Sequence, residues 1–242
     1  LLIQTFTAYE YDNRFIADTA SANPDRTRGV VTMDPTDPAA PDLLRDLHTR
    51  SNLGAIRMYP TRDANPTFAH PGHGHLIEAA TDLGLVTNVL IDTPHADALA
   101  SHLADHPEAR VGLDHCMNLR AGAPDILART LDLATFPNLT AKLTFAVTGS
   151  EEEYPCRDTH DLVHAVIEAY GPERCIWGSD FPCELWCPKV DYARGLAIFS
   201  HELGIEEPAR RAVLGGTASR LYFGGGCFSH LGGGFAGAKA SF

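Results

Sequence analysis

Seven short runs of apolar, largely β-branched residues recur along this chain: Leu1–Gln4, Gly29–Met33, Ala55–Met58, Leu85–Ile91, Val111–His115, Leu139–Phe145 and Cys175–Asp180. They start roughly 25 to 36 residues apart, the length of one strand plus one crossover helix. The runs are apolar at successive positions instead of alternating, as parallel strands covered on both faces must be. Helical spacing fills the intervals. Pro41–Thr49 carries Leu43, Leu44 and Leu47, and Leu76–Leu83 and Ala96–Ala104 repeat the pattern. Asp158–Tyr170 sets Leu162, Val163, Val166 and Ile167 on one face, and Tyr192–Leu203 and Pro208–Tyr222 complete the series. Asp125 and Asp158 are placed to cap helix starts, and Gly84, Gly171 and Gly204 to end helices. The expectation is an α/β chain, a (β/α)8 barrel over residues 1–223 that is incomplete because its first strand is missing.

From Gly224 the composition changes to a glycine-rich stretch, predicted to be a flexible tail over 224–242. With 242 residues, 44% of them hydrophobic, the remainder can bury one sizeable core. A formal net charge of −12 without any basic cluster argues against nucleic acid and against anionic membranes as partners. No apolar run approaches the roughly 20 residues of a membrane span, and no charged-then-apolar leader opens the chain. A cytoplasmic location is expected. The six cysteines are scattered, and the Cys183-x3-Cys187 pair lacks the further ligands of a zinc site, so reduced thiols are predicted.

Chemistry concentrates where apolar runs end. Trp177-Gly178-Ser179-Asp180-Phe181-Pro182 stops a strand in a tight turn and leaves a carboxylate at the lip where barrel sites form. Arg57, the Asp114-His115 pair and Lys142 occupy comparable positions on other runs. Burying such groups without partners costs several kcal/mol each, so they are expected to face one another across a polar pocket. Arg62 lies just beyond Arg57's strand. His73-x-His75 has chelating spacing but sits in a Pro/Gly loop, where histidines are usually solvated. Gly178-Ser179-Asp180 lacks the second glycine of a nucleophile elbow, and Glu151–Glu153 reads as a solvated loop.

These residues carry a resemblance. Gly-Ser-Asp-Phe-Pro at 178–182, Leu-Asp-His at 113–115, Ala-Lys-Leu-Thr at 141–144 and Gly-Ala-Ile-Arg at 54–57 resemble the amidohydrolase-related family. Its branches include 2-pyrone-4,6-dicarboxylate lactonase and sugar lactonases. Tyr11-Asp12-Asn13 and Tyr170-Gly171-Pro172-Glu173-Arg174 fit the same pattern. The resemblance implies hydrolysis of a lactone or a similar small carboxylated cyclic ester or amide. It makes Asp180 the general base and His115 a catalytic or metal-ligating group, with Arg57, Arg62 and Lys142 binding substrate.

The chain also departs from that pattern. It has no His-x-His ahead of Ile3-Gln4, and Asn88 and Asp92 stand where a strand histidine is usual. Two cofactor states therefore stay open: one divalent ion, zinc or manganese, held by Asp180 and His115, or none. The alternatives to a lactonase are a metal-dependent decarboxylase of an aromatic acid and an inactive truncated fragment. A barrel lacking its first strand exposes two sheet edges, so poor stability, or association into a homo-oligomer, is expected.

Overall fold

The structure, a computed structural model, describes residues 1–182 and 187–224. All seven predicted strands form: β1 Leu2–Ile3, β2 Gly29–Thr32, β3 Leu53–Met58, β4 Val86–Val89, β5 Val111–Leu113, β6 Leu139–Lys142 and β7 Cys175–Ile176. They make one parallel sheet in sequence order, curled as an incomplete (β/α)8 barrel. The predicted helices appear at Ala40–Arg50, Pro71–Asp82, Ala96–Asp105, His160–Tyr170, Tyr192–Ala197 and, in short pieces, from Ala209 to Phe223.

Strand periodicity sorts each run into two faces. Val31, Ile56, Met58, Val89, Leu113 and Ala141 pack outward with the helices into the main core. Val30, Ala55, Val86 and Ile176 point inward into a second, smaller cluster. The inward positions one step further along carry Arg57, Asn88 and Lys142, and Asp114 directly follows β5. The interior therefore changes from small apolar residues at one level to polar ones at the C-terminal level, which places the site.

β1 and β7 are not paired with each other in the sheet order. At the lower end of that opening stands Thr217–Phe223, whose Tyr222 joins the inner cluster and donates from its hydroxyl to Asn88 Oδ1 at 2.7 Å. Among the described residues, this helix therefore covers part of the opening.

Several local expectations need correction. Helices also form at Arg14–Ala22, where the sequence predicts none, and at Pro124–Asp132, whose start is marked in the sequence only by Asp125. Asp125 lies within the first turn of the second of these instead of capping it. Asp158 accepts hydrogen bonds from Ser150 and Glu151, so it ties down a loop and does not cap its own helix. Gly84, Gly171 and Gly204 do end helices, at φ of 68°, 79° and 63°. Cys116, Cys156, Cys175 and Cys187 are free thiols. Cys183 and the tail beyond Gly224 lie outside the described residues.

Candidate active site

Three ionisable side chains, from β3, the end of β5 and β6, meet at the barrel's C-terminal level. Asp114 Oδ2 is 2.7 Å from Arg57 Nε and Oδ1 is 3.1 Å from Lys142 Nζ. Asp114 is 1% exposed, and neither oxygen has a hydrogen bond to any other described group. Burial alone would raise its pKa, but Lys142 and then Arg57 outweigh burial and hold the carboxyl below the usual range. Burial likewise opposes the charge on Arg57, and Asp114 more than restores it. The expected mutual arrangement of buried charges is thus present, but as direct ion pairs.

His115 follows Asp114 and opens a left-handed turn: φ is 55°, 48°, 57° and 56° at His115, Cys116, Met117 and Asn118. Each such residue costs about 1–2 kcal/mol unless its surroundings impose it. Here Thr130 Oγ1 donates to Cys116 O, the Cys116 thiol to Lys142 O and Leu119 N to His115 O. The turn brings His115 Nε2 to 3.9 Å from Asp180 Oδ1. Asp180 itself is left-handed, at φ 51°. Burial pushes the imidazole pKa down, with Asp114 opposing and Lys142 adding to the fall, so His115 is neutral at pH 7.

Gly178 leaves room for its neighbours here. A Cβ at this position would stand 2.9 Å from Lys142 Cε and 3.1 Å from Thr144 Cγ2. The glycine in the Gly-Ser-Asp turn therefore lets Lys142 pass beneath the segment that carries Asp180.

A cavity of about 1300 Å³ opens above these groups, with Arg57, Lys142, Trp177 and Asp180 in its wall. It continues to Leu1, Ile3 and Ile176 at the two sheet ends, so site and opening share one space. Arg62 also lines it, stacked over the rings of Phe6 at 4.3 Å and Tyr59 at 4.8 Å. The five expected site residues therefore divide into three sets. Asp180 and His115 are adjacent, Arg57 and Lys142 share Asp114, and Arg62 stands on the cavity's aromatic wall.

The His73-x-His75 expectation changes. Both residues lie in the helix Pro71–Asp82, and His73 is fully buried, its ring nitrogens 2.8 Å from Tyr59 O and 3.2 Å from His70 O. It anchors the backbone leading from β3 toward Arg62 and is not a solvated loop residue. Glu151, Glu152 and Glu153 are exposed as expected.

The donor set does not fit the divalent ion that the resemblance leaves open. Among the described residues no three His, Cys, Asp or Glu side chains converge. Asp114, the carboxylate next to His115 in the chain, has both oxygens against cations. Asn88 has its oxygen bound to Tyr222.

Asp114 was visible in the sequence only as a polar strand end, and its place between two cations follows from the inward register of three strands. Tyr222 carried no signal beyond an amphipathic helix.

Residues 2–224 match the model of the family described as Amidohydrolase. An L-fucono-1,5-lactonase of Burkholderia ambifaria is 25% identical over 229 residues, 92% of this chain and 79% of that protein. A Burkholderia multivorans L-fucono-1,5-lactonase is 33% identical over 97 residues, 38% of this chain and 32% of that protein. A Pseudomonas putida structure named as a 2-pyrone-4,6-dicarboxylic acid hydrolase has a TM-score of 0.75 at 21% identity, covering 92% of this chain and 81% of that one. A 5-carboxyvanillate decarboxylase of Sphingomonas paucimobilis shares the fold at TM-score 0.61 and 20% identity, covering 87% and 71%.

Proposed function

The chain belongs to the amidohydrolase family, and on that premise we propose that it hydrolyses a lactone, with Asp180 as general base. The observation that carries this reading is the placement of Asp180 Oδ1 3.9 Å from His115 Nε2 beside the cavity at the barrel's C-terminal end. Groups at that separation can both reach a single water at about 2.8 Å. Asp180 takes the water's proton as the water oxygen attacks the lactone carbonyl, and neutral His115 orients that water. When the tetrahedral adduct collapses and the ring C–O bond breaks, Asp180 returns the proton to the departing ring oxygen. The Lys142 ammonium faces the developing oxyanion and stabilises it. Arg57 supports the ammonium through Asp114. Arg62 and the ring of Tyr59 border the space left for the rest of the substrate.

The two lactonase relatives support this substrate class. The decarboxylase reading is favoured only by the shared fold, and it needs a metal site that the described donors do not fit. A cytoplasmic location is part of the proposal, supported by the free thiols at Cys116 and Cys175. No described helix is long and apolar enough to cross a membrane. Homo-oligomerisation at the open sheet edges is also part of it, and sedimentation would detect it.

The test is a pH-stat assay of ring opening with L-fucono-1,5-lactone and 2-pyrone-4,6-dicarboxylate, run alongside metal analysis of the purified protein. Turnover of either lactone, abolished in Asp180→Asn, is expected. Turnover that survives Asp180→Asn would remove the base assignment. Release of carbon dioxide from 5-carboxyvanillate, with stoichiometric metal, would favour the decarboxylase.

A further inference from the structure

We infer that Asp114 is a positioning residue that balances Arg57 and Lys142, leaving the cavity floor without a free cation, so that the site selects an uncharged lactone over a dicarboxylated one. This rests on the lactonase reading above and concerns which lactone is taken.

The charges lining the cavity carry the inference. Its Lys and Arg side chains are Arg57, Arg62 and Lys142, and its carboxylates are Asp63, Asp92 and Asp180, with Asp114 buried just beneath. Arg57 and Lys142 each lie against an Asp114 oxygen, at 2.7 and 3.1 Å, and Arg62 lies on two aromatic rings. A substrate with two carboxylates would bring two more negative charges to this wall, where, of the three cationic side chains, Arg62 alone has no described carboxylate partner and is held by rings instead. Arg62 could meet one of these carboxylates, but the second could gain a side-chain partner at the floor only by displacing Asp114, a fully buried group with no alternative hydrogen bond. An uncharged carbonyl makes no such demand. An ammonium has three N–H donors, so Lys142 can donate to a carbonyl oxygen while keeping Asp114. The same pairing fixes the direction of the ammonium, since Asp114 follows β5 and Lys142 ends β6, adjacent strands in register.

The test combines anion binding with substrate selectivity. Calorimetry with sulfate should show no tight binding to the wild-type protein. Asp114→Asn should bind sulfate at least about tenfold more tightly, because one buried cation is then uncompensated. The double variant Asp114→Asn/Lys142→Met should lose that gain. Tight sulfate binding by the wild type, or unchanged binding in a folded Asp114→Asn protein, would overturn the inference. Should Asp114→Asn alone fail to fold, the double variant, whose net charge equals that of the wild type, is expected to fold and, like the wild type, to bind no sulfate tightly. An equally unfolded double variant would count against charge balance as the role of Asp114.

In kinetics, the wild type should favour L-fucono-1,5-lactone over 2-pyrone-4,6-dicarboxylate by at least about tenfold in kcat/KM. Asp114→Asn should narrow that ratio mainly through KM for the dicarboxylate. A wild-type preference for the dicarboxylate would also overturn the inference. Hydrolysis of neither lactone would remove the lactonase reading instead, and sulfate binding would then decide the role of Asp114 by itself.

Discussion

The middle of the sheet and its two ends are built differently. From β3 to β6 the strands pair over three or four residues, and the three members of the Arg57–Asp114–Lys142 group stand on or just after them. At the ends, β1 pairs with β2 through Leu2 and Ile3 only, and β7 with β6 through Cys175 and Ile176 only. Asp180 comes after β7, its side chain 26% exposed against 1% for Asp114. The contrast teaches a division of labour. Charges that must be held at fixed separation are set in the well-paired centre. Asp180, the proposed base, stands at a lightly paired end, where local opening is least costly.

The largest expected effect tests the end. Asp180→Asn should lower the hydrolytic rate by about 10² to 10⁴, as loss of a general base does, with little change in thermal unfolding. Activity that persists while the melting temperature falls would place Asp180 in the framework and erase the contrast.

Next come two core truncations, one in each region. Leu113→Ala, fully buried in the centre, should cost about 2–5 kcal/mol in chemical denaturation. Ile176→Ala should cost less, near about 2 kcal/mol, because Ile176 borders the large cavity and the site can relax or hydrate. Equal losses would mean that the ends are as tightly packed as the middle.

Acidification gives a graded test. Burial lowers the pKa of both His73 and His115, so both are neutral in the folded chain, whereas in the unfolded chain they take up protons near pH 6.5. The unfolded state then binds more protons, and stability must fall as the pH drops below about 6.5. The carboxyl of Asp114, whose folded pKa is depressed, adds stability that is lost only at more acidic pH, through its own folded value. Denaturant midpoints between pH 7 and 5 should decline, and the decline should shrink in His73→Gln. A flat profile would show that the histidines are not held neutral.

The smallest effect concerns the partly covered opening. Tyr222→Phe removes the hydroxyl bound to Asn88 Oδ1 and should cost about 1–2 kcal/mol, since Asn88 is buried and its amide nitrogen already lacks a partner. No loss at all would mean that water replaces the hydroxyl there and the helix is a loose cover.

The sequence by itself determined the seven strands, most of the helices and the strand-end positions of Arg57, Asp114, His115, Lys142 and Asp180. Each of these depends on local rules: apolar runs at repeated spacing, a glycine at a helix end, a turn that stops a strand. Helix Arg14–Ala22 escaped because its buried residues are Ile16, Ala17 and Ala20, too few and too small to mark a stripe. Only the tertiary structure decided which charges meet. Whether Lys142 faces a substrate or Asp114 depends on the relative register of β3, β5 and β6, which no one strand encodes. The neutral state of His115, its left-handed turn and the burial of His73 against Tyr59 O depend in the same way on segments distant in the chain. Tyr222 reaches Asn88 across 134 positions of sequence. Local periodicity is written residue by residue, whereas desolvation and ion pairing are properties of a closed interior, and they exist only once the strands have curled around it.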